Sequence, residues 1–558
     1  MKFKKHLLLI VILVAALLRV VYLDRSPAGL NADEAALGYN AYSLIKTGAD
    51  EHGISWPLVF RSFDDYKPPL YVYLVLPLVY LFGLSTFVVR LPSAILGVAT
   101  IYLSYHLANL LFPKTFLTIR KQKLSIGLFT AALITLSPWH LHFSRGAWEV
   151  NASLFFLTLG VYAFVRAAHN HPRWYLTSAI SLVTALYTYH SIRLIAPIVL
   201  FLAVIIYHQK ILKQFKSKTS RNLILTAFVI GAALSLPLAK QMLSKEGQSR
   251  FSGVSIFADS GPLWEALEKR RLSPDPDSLL TRLRYNRYLS YSKRFAQNYL
   301  SHYSPNFLFI EGDEIARSKV PGMGQSFLIL APFYLLGFIL LLTKREEGSR
   351  LTLAWLLIAP IAAALTFQSP HALRSQNMVV PFNLAIALGI ITIFNWISNT
   401  KPKATLIIFT LLSLLVLQNF VSYLKRYYLD YPNTYPFAWQ YGFDQLADYI
   451  APIQDQYQTI TISDRYDQPY ILVAFFLKYD PISFQRELIF SDRDNYGFST
   501  GRAFSNFQFH KIDWQKDSEN PDSLVVVADE NVPADKTPIH TIYYPNGDPV
   551  FRIYSTSN

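Results

Sequence analysis

The sequence predicts an α-helical integral membrane protein with a smaller, water-exposed C-terminal domain of α/β or α+β type. Three observations predict it. Hydrophobic residues fill 52% of the 558 positions and charged residues only 16%, a balance shifted away from ordinary globular domains. The apolar residues are also clustered: the runs 124–143, 152–168, 222–240, 326–343 and 404–422 each approach the roughly 20 residues that cross a hydrocarbon core of about 30 Å. Finally, the basic residues behind the net charge of +15 sit mainly in short loops between such runs, the pattern that orients a membrane protein.

The chain opens with Lys2, Lys4 and Lys5 and an apolar stretch, 7–23. That stretch is long for a signal-peptide core and no small-x-small site follows Tyr22, so it reads as an uncleaved first helix. With its basic start in the cytoplasm, the basic loops 114–123, 166–173, 210–221, 344–350 and 401–403 face the same side. These six stretches hold 19 Lys and Arg, whereas the loops 144–151, 189–193 and 368–376 hold one Arg each. Residues 24–68, 241–325 and the tail from 423 then face outward. An odd number of crossings must separate 24–68 from 114–123, yet two apolar runs lie between them. Run 69–84 is the shorter, contains Pro77 and follows Pro68-Pro69, so it is predicted to be interfacial or re-entrant. Run 91–112 crosses, and about eleven transmembrane helices result.

The domain organisation that follows is a transmembrane module over 1–422, with 24–68 as an elaborated first outer loop, 69–84 as an interfacial helix and 241–325 as a large outer loop. A C-terminal domain occupies 423–558, where apolar runs shorten and Tyr, Asp, Pro and Gln increase. Within it, Thr459–Ser463 and 524–527 read as short buried strands, and Phe443–Ile450 and 470–477 as helices. In the large outer loop, the spacing of Arg284, Tyr288 and Tyr291 suggests an amphipathic interfacial helix, suited to anionic lipid or an acidic polymer or simply resting on headgroups. No nucleic-acid motif accompanies the positive charge. The absence of cysteine rules out a disulfide framework and thiolate metal sites.

Chemistry concentrates in the outer loops. Residues 24–68 carry seven carboxylates (Asp24, Asp33, Glu34, Asp50, Glu51, Asp64 and Asp65) against four basic residues. Asp33 and Glu34 fall in the first turn of a predicted helix after Asn31, where capping and dipole compensation explain acids without any catalytic role. Lys67 precedes Pro68-Pro69 at the membrane surface, where a lysine also simply snorkels to headgroups. The 144–151 loop offers Arg145, Glu149 and Asn151, and 187–193 offers Tyr189, His190 and Arg193. Each fits a helix-end role as well as substrate contact; together they suggest a polar, outward-facing cavity. Asp50-Glu51-His52 has metal-ligand residue types, but three adjacent residues cannot close a tetrahedral site alone.

Taken in order, the Asp33-Glu34 pair after helix one, Lys67-Pro-Pro-Leu closing the same loop, and Val89-Arg-Leu-Pro-Ser-Ala opening the next span resemble the GT-C membrane glycosyltransferases, among them the protein O-mannosyltransferases and the aminoarabinose transferases of lipid A. The likeness covers mainly residues 1–200, with a weaker echo at Pro370-His-Ala-Leu-Arg374. Where yeast-type mannosyltransferases carry His-Pro-Pro-Leu this chain has Lys67, which favours the bacterial branch. The resemblance implies a GT-C fold and Asp33, with Glu34 beside it, as the catalytic acids. It implies Lys67, Arg90, Arg145 and Arg374 as cations for the donor phosphate. Tyr66, Glu149, Asn151, Tyr189, His190, Arg193 and His371 would line the substrate cavity. Related enzymes place an acid near Asn151, so the second carboxylate is either lost here or shifted to Glu149.

The chemistry agrees with that expectation. Transfer from a sugar phosphate needs a base for the acceptor's hydroxyl proton as the anomeric carbon becomes oxocarbenium-like. The phosphate leaves without an acid and calls for cations instead, so one carboxylate suffices and inversion is expected. The implied partners are a polyprenyl-phosphate sugar, undecaprenyl phosphate in a bacterial cell, membrane lipids, and an acceptor glycan, lipid or protein outside the cytoplasmic (plasma) membrane; nucleic acid is not among them. No cofactor is required by these residues, and a divalent metal is left open. Asp492-Arg-Asp494 resembles the Asp-x-Asp of nucleotide-sugar enzymes, but no Gly-rich phosphate loop accompanies it and it reads as a solvated turn. The alternative is a transporter or flippase of lipid-linked sugars, which calls for broken or charged helices at mid-membrane and inverted repeats that the sequence does not display.

Overall fold

The computed structural model describes residues 2–63, 65–119, 122–244, 253–493 and 499–556. Asp64 of the acidic loop, Arg120 and Lys121 of the basic 114–123 loop, residues 245–252 of the large outer loop and Asp494 of the Asp-x-Asp stretch lie outside these. The chain groups into two compact units: one holds 1–18, 96–143 and 149–423, the other 19–95, 144–148 and 424–558.

The first unit is helical. Among the described residues, six helices are long and apolar enough to cross a membrane: Thr86–Leu111, Glu149–Ala168, Ile192–Phe215, Lys218–Met242, Gln376–Thr400 and Ala404–Thr434. Two bent pairs raise the number to eight if each counts as one span, so the expected eleven is not confirmed. One pair, Ile126–Leu136 with Pro138–Ser144, bends by 61° at Pro138, which has no N–H to continue the helix. The other, Leu328–Thr343 with Glu347–Ala364, turns by 119°. The apolar run after Pro69 forms the helix Leu70–Phe82; its 13 residues reach about 20 Å, short of a full crossing.

Close approach of helices in this unit depends on two glycines. A Cβ at Gly337 would lie 1.8 Å from the Ala385 carbonyl oxygen, and one at Gly389 would lie 2.0 Å from that of Phe333. Helix Ala331–Thr343 therefore packs backbone to backbone on Val379–Thr400, the way small residues join helices in lipid.

The second unit combines the first outer loop with a mixed seven-stranded sheet from the tail. Its order is His540–Tyr543, Pro549–Ser555, Ser523–Val527, Thr459–Ser463, Phe507–His510, Gly501–Phe504, Ile489–Phe490. Thr459–Ser463 pairs parallel with both neighbours, and the remaining pairs are antiparallel. Ser523–Val527 is buried throughout, as its unbroken apolar run requires. The expected strands at 459–463 and 524–527 are present, as are the helices Phe443–Ile450 and Pro469–Phe476. In the large outer loop, the helix starts at Arg287 because Asn286 caps it, accepting from the Leu289 N–H. Arg284 belongs to the short preceding helix Leu279–Arg284, so it does not share a helical face with Tyr288 and Tyr291.

Candidate active site

The site in the second unit starts from the capped helix Ala32–Thr47. The Asn31 side chain accepts from the Glu34 N–H at 3.1 Å, and the Glu34 carboxylate accepts from the Asn31 N–H at 3.3 Å, a reciprocal capping box. The tail supplies a further partner, the Gln440 side-chain oxygen, which accepts from the Ala32 N–H at 2.6 Å. The capping role available to either acid thus falls to Glu34, and Asp33 on the neighbouring position is left to face another way.

Glu34 is 1% exposed and Arg90 fully buried. The guanidinium is committed at every N–H. Nε donates to Glu34 Oε1 (2.9 Å) and Nη2 to Glu34 Oε2 (2.8 Å) and the Gly29 carbonyl (2.6 Å). Nη1 donates to the carbonyls of Leu23 (3.1 Å) and Pro27 (3.0 Å), so all five donors have partners. The Ala147 N–H adds a bond to Glu34 Oε1 at 2.8 Å, and the Trp439 ring lies against the guanidinium at 5.5 Å. Gly29 holds φ +91°, and a Cβ there would meet the Trp439 carbonyl at 2.4 Å, so only glycine brings this carbonyl to Arg90. These bonds make Arg90 and Glu34 the bolt between the first loop and helix Thr86–Leu111. Every N–H of Arg90, a residue expected from the sequence to meet the donor phosphate, is engaged here by protein acceptors. Glu34 is correspondingly held as the buried partner of Arg90.

Asp33 differs from its neighbour. Its side chain is 39% exposed, and its Oδ1 accepts from Lys67 Nζ at 2.5 Å, while the Lys67 side chain is 6% exposed. Lys67 is delivered by the hairpin Phe60–Ser62 and Asp65–Lys67, in which it pairs with Phe60, and its ammonium lies 5.2 Å from the Phe63 ring. Pro68-Pro69 ends the strand immediately after it. Tyr66, half-buried, sits one position earlier opposite Arg61. The arrangement is one open carboxylate held against one buried cation.

Arg145 is also buried, with Nη2 donating to the carbonyls of Tyr22 (2.9 Å) and Ser26 (3.0 Å) and the guanidinium 5.6 and 5.2 Å from the rings of Tyr427 and Tyr428. Asp50, Glu51 and His52 form a turn. Asp50 Oδ1 accepts from the N–H groups of His52 and Ile54, Glu51 exchanges two bonds with Asn40, and His52 Nε2 lies 2.9 Å from the Arg61 carbonyl. Burial pushes the carboxyls of both Asp50 and Glu51 above their usual range. Among the described residues no group of three or more His, Cys, Asp or Glu is placed to hold a metal ion.

The remaining predicted residues belong to the first unit. Asn151 is buried and accepts from Gln376 Nε2 at 3.2 Å. Arg193 donates to the Leu186 carbonyl and reaches Gln241. The Tyr189 and His190 rings neighbour each other at 6.4 Å, and Glu149 opens its helix, buried. His371 Nδ1 lies 3.5 Å from the buried Asp313 carboxylate, which also accepts from the Ala372 N–H at 2.6 Å. The His371 N–H donates to His302 Nε2 at 3.1 Å. His302 Nδ1 faces the Asn298 carbonyl at 2.8 Å, and burial lowers the His302 pKa to about 4. Asp313 and His302 thus anchor the turn that leads to the half-buried Arg374. Neither they nor Trp439 and Gln440 carried a motif; their partners are 59 or more residues away in sequence, where spacing gives no signal.

Residues 66–233 match the family described as dolichyl-phosphate-mannose-protein mannosyltransferase. No curated protein matches the chain in sequence. The structure resembles that of ArnT from Cupriavidus metallidurans bound to undecaprenyl phosphate, at 13% identity and a TM-score of 0.50, over 86% of this chain and 87% of that one. The oligosaccharyltransferase of Archaeoglobus fulgidus overlaps at 14% identity and a TM-score of 0.45, over 85% and 63%. The Pmt1-Pmt2 protein O-mannosyltransferase complex of S. cerevisiae overlaps at 18% identity and 0.32, over 47% and 36%. The family match, over a segment that includes Lys67 and Arg90, makes that segment similar to the mannosyltransferase family, and the chain shares the fold of ArnT.

Proposed function

We infer that the chain is a glycosyltransferase that moves one sugar from a polyprenyl-phosphate carrier to a hydroxyl of an acceptor outside the cytoplasmic membrane, with Asp33 as the base. The observation that carries the reading is the contrast between two adjacent acids. Glu34 is sealed and saturated, whereas Asp33 is open to an incoming hydroxyl and held by Lys67. In the reaction the acceptor oxygen bonds to the anomeric carbon, the bond from that carbon to the phosphate oxygen breaks, and the electron pair leaves with the phosphate. The hydroxyl proton passes to the Asp33 carboxylate. A single displacement inverts the anomeric centre.

Lys67 serves first to orient Asp33, and its ammonium is the charge proposed to meet a phosphate that replaces Asp33 as its partner. Arg145, held by two carbonyls and flanked by two tyrosine rings, is assigned to supporting the loop. The undecaprenyl phosphate in the ArnT structure supports the choice of carrier class. The carrier's hydrophobic tail also explains why the reaction belongs at a membrane.

The test is transfer from a panel of radiolabelled polyprenyl-phosphate sugars by membranes holding wild type or Asp33→Asn, with folding of both checked. Transfer that collapses in the variant supports the class and the base together. Equal transfer removes Asp33, and carrier movement across the bilayer without transfer would favour the flippase alternative.

A further inference from the structure

The large outer loop contains a second polar site that the transfer reaction does not use. Helices Gly261–Arg271 and Arg287–Ser301 enclose a cavity of about 640 Å³, within the range of small-ligand sites. Two acids and four cations line it. The acids are already answered: Glu265 pairs with Lys269 one turn on, and Asp259 Oδ1 accepts from the Gly261 N–H at 2.8 Å. Arg284, Lys293 and Arg294 form no salt bridge among the described residues, and Arg294 Nε is buried there without a hydrogen-bond partner. Among the described residues the cavity therefore presents three cations outside any ion pair, beside the Ser290 hydroxyl and the Tyr285 ring.

Its surroundings are apolar and exposed. Leu279, Leu280 and Leu283 are 61–79% exposed and Tyr288 is 84% exposed, and Trp264 stands out on the other helix. Water disfavours such a surface on a soluble loop. Leucines and aromatic rings beside arginines are what an interfacial segment presents to headgroups and acyl chains. A soluble anion would account for the cations but leave the leucines unexplained.

We propose that this helical pair is an anionic-phospholipid site, in which Arg284, Lys293 and Arg294 hold the headgroup phosphate while Leu279, Leu280, Leu283 and Tyr288 lie among the acyl chains. The site is independent of the transfer chemistry, and its test reads lipid binding and not activity.

The experiment measures binding of fluorescent phosphatidylglycerol and phosphatidylcholine to the purified full-length chain in neutral detergent, with inorganic phosphate as competitor. Wild type is expected to prefer phosphatidylglycerol. The double variant Lys293→Gln/Arg294→Gln is expected to lose about 25-fold in that affinity, taking roughly fivefold per cation near a headgroup, with phosphatidylcholine unchanged. Arg270→Gln/Arg271→Gln, which removes equal charge outside the cavity, is the control and is expected to lose less than about fivefold. Equal losses in the two double variants would reduce the effect to diffuse charge and overturn the proposal. So would equal binding of both lipids, or full displacement by millimolar phosphate, which would assign the cavity to a free anion. Thermal unfolding of each variant, matched to wild type, excludes misfolding as the cause.

Discussion

Replacing Glu34 by Gln tests whether the two adjacent acids have separate duties. The carboxylate accepts two bonds from Arg90, one from the Ala147 N–H and two from Asn31. Both partners of the ion pair are out of water. An amide keeps the shape but leaves the guanidinium charge uncompensated and turns an N–H₂ toward its donors. Removing one partner of a buried pair costs about 3–5 kcal/mol, so Glu34→Gln is expected to unfold at markedly lower denaturant or temperature in detergent. Asp33→Asn is a different perturbation. Asp33 is 39% exposed but Lys67 only 6%, so the substitution leaves a buried ammonium without its carboxylate and costs about 1–3 kcal/mol, less than the loss at the fully buried pair, whereas losing a general base lowers turnover by about 10²–10⁴. The assay is parallel: unfolding midpoints and transfer rates for both variants, with transfer measured below either midpoint. The expected outcome is a crossed pattern. The Asp33→Asn protein is the less destabilised of the two and inactive, and the Glu34→Gln protein is the more destabilised with turnover per folded molecule largely kept. A Glu34→Gln protein of wild-type stability without transfer would refute the assignment, because it would put the chemistry on the buried acid.

Lys67→Met is expected to reduce transfer by at least about tenfold, with the loss falling on donor KM as well as kcat, since an ammonium aimed at an anion is worth about 1.5–3 kcal/mol per charged bond; steady-state kinetics over donor concentration checks it. Gly337→Ala places a methyl group against the Ala385 carbonyl, and because backbone cannot yield it should destabilise the chain by about 1–3 kcal/mol, read as a lower melting temperature. His302 is neutral in the fold down to about pH 4, against an ordinary value of 6.5. Its contribution is therefore fully present above pH 6.5 and is lost as pH falls through the folded value, on the order of 3 kcal/mol in all. Unfolding midpoints between pH 7 and 4 should fall less steeply in His302→Gln than in wild type.

Much of the fold was legible because the forces that set it are local. Runs of apolar residues, basic loops and the Pro68-Pro69 stop each act over a few residues, and the strand at 459–463 and the helix at 443–450 follow from short-range pattern. The number of crossings was not legible in the same way. Breaks such as the 61° bend at Pro138 and the 119° turn after Thr343 depend on how neighbouring helices pack, and an apolar run of given length does not reveal whether it spans, bends or returns.

The site shows the same division at finer scale. Asn31, Asp33 and Glu34 announced a helix start, and the cap is there, but position alone does not say which acid caps and which stays open. That choice is made by Arg90, 56 residues on, and by Gln440, 408 residues from Ala32. A buried guanidinium must find partners for five donors, and three carbonyls of the 23–29 turn plus Glu34 supply them. Once Glu34 is drawn into that network, the helix turns the adjoining position toward Lys67, whose own placement is set by the 60–67 hairpin. The catalytic candidate is thus exposed as a consequence of its neighbour's burial. Sequence presents Arg90 as a candidate phosphate ligand because it is a cation beside the acidic first loop. In the fold its five donors go to Glu34 and three backbone carbonyls, and under the proposed function the lysine, a single point charge on a flexible stem, is the cation that changes partners when a phosphate arrives.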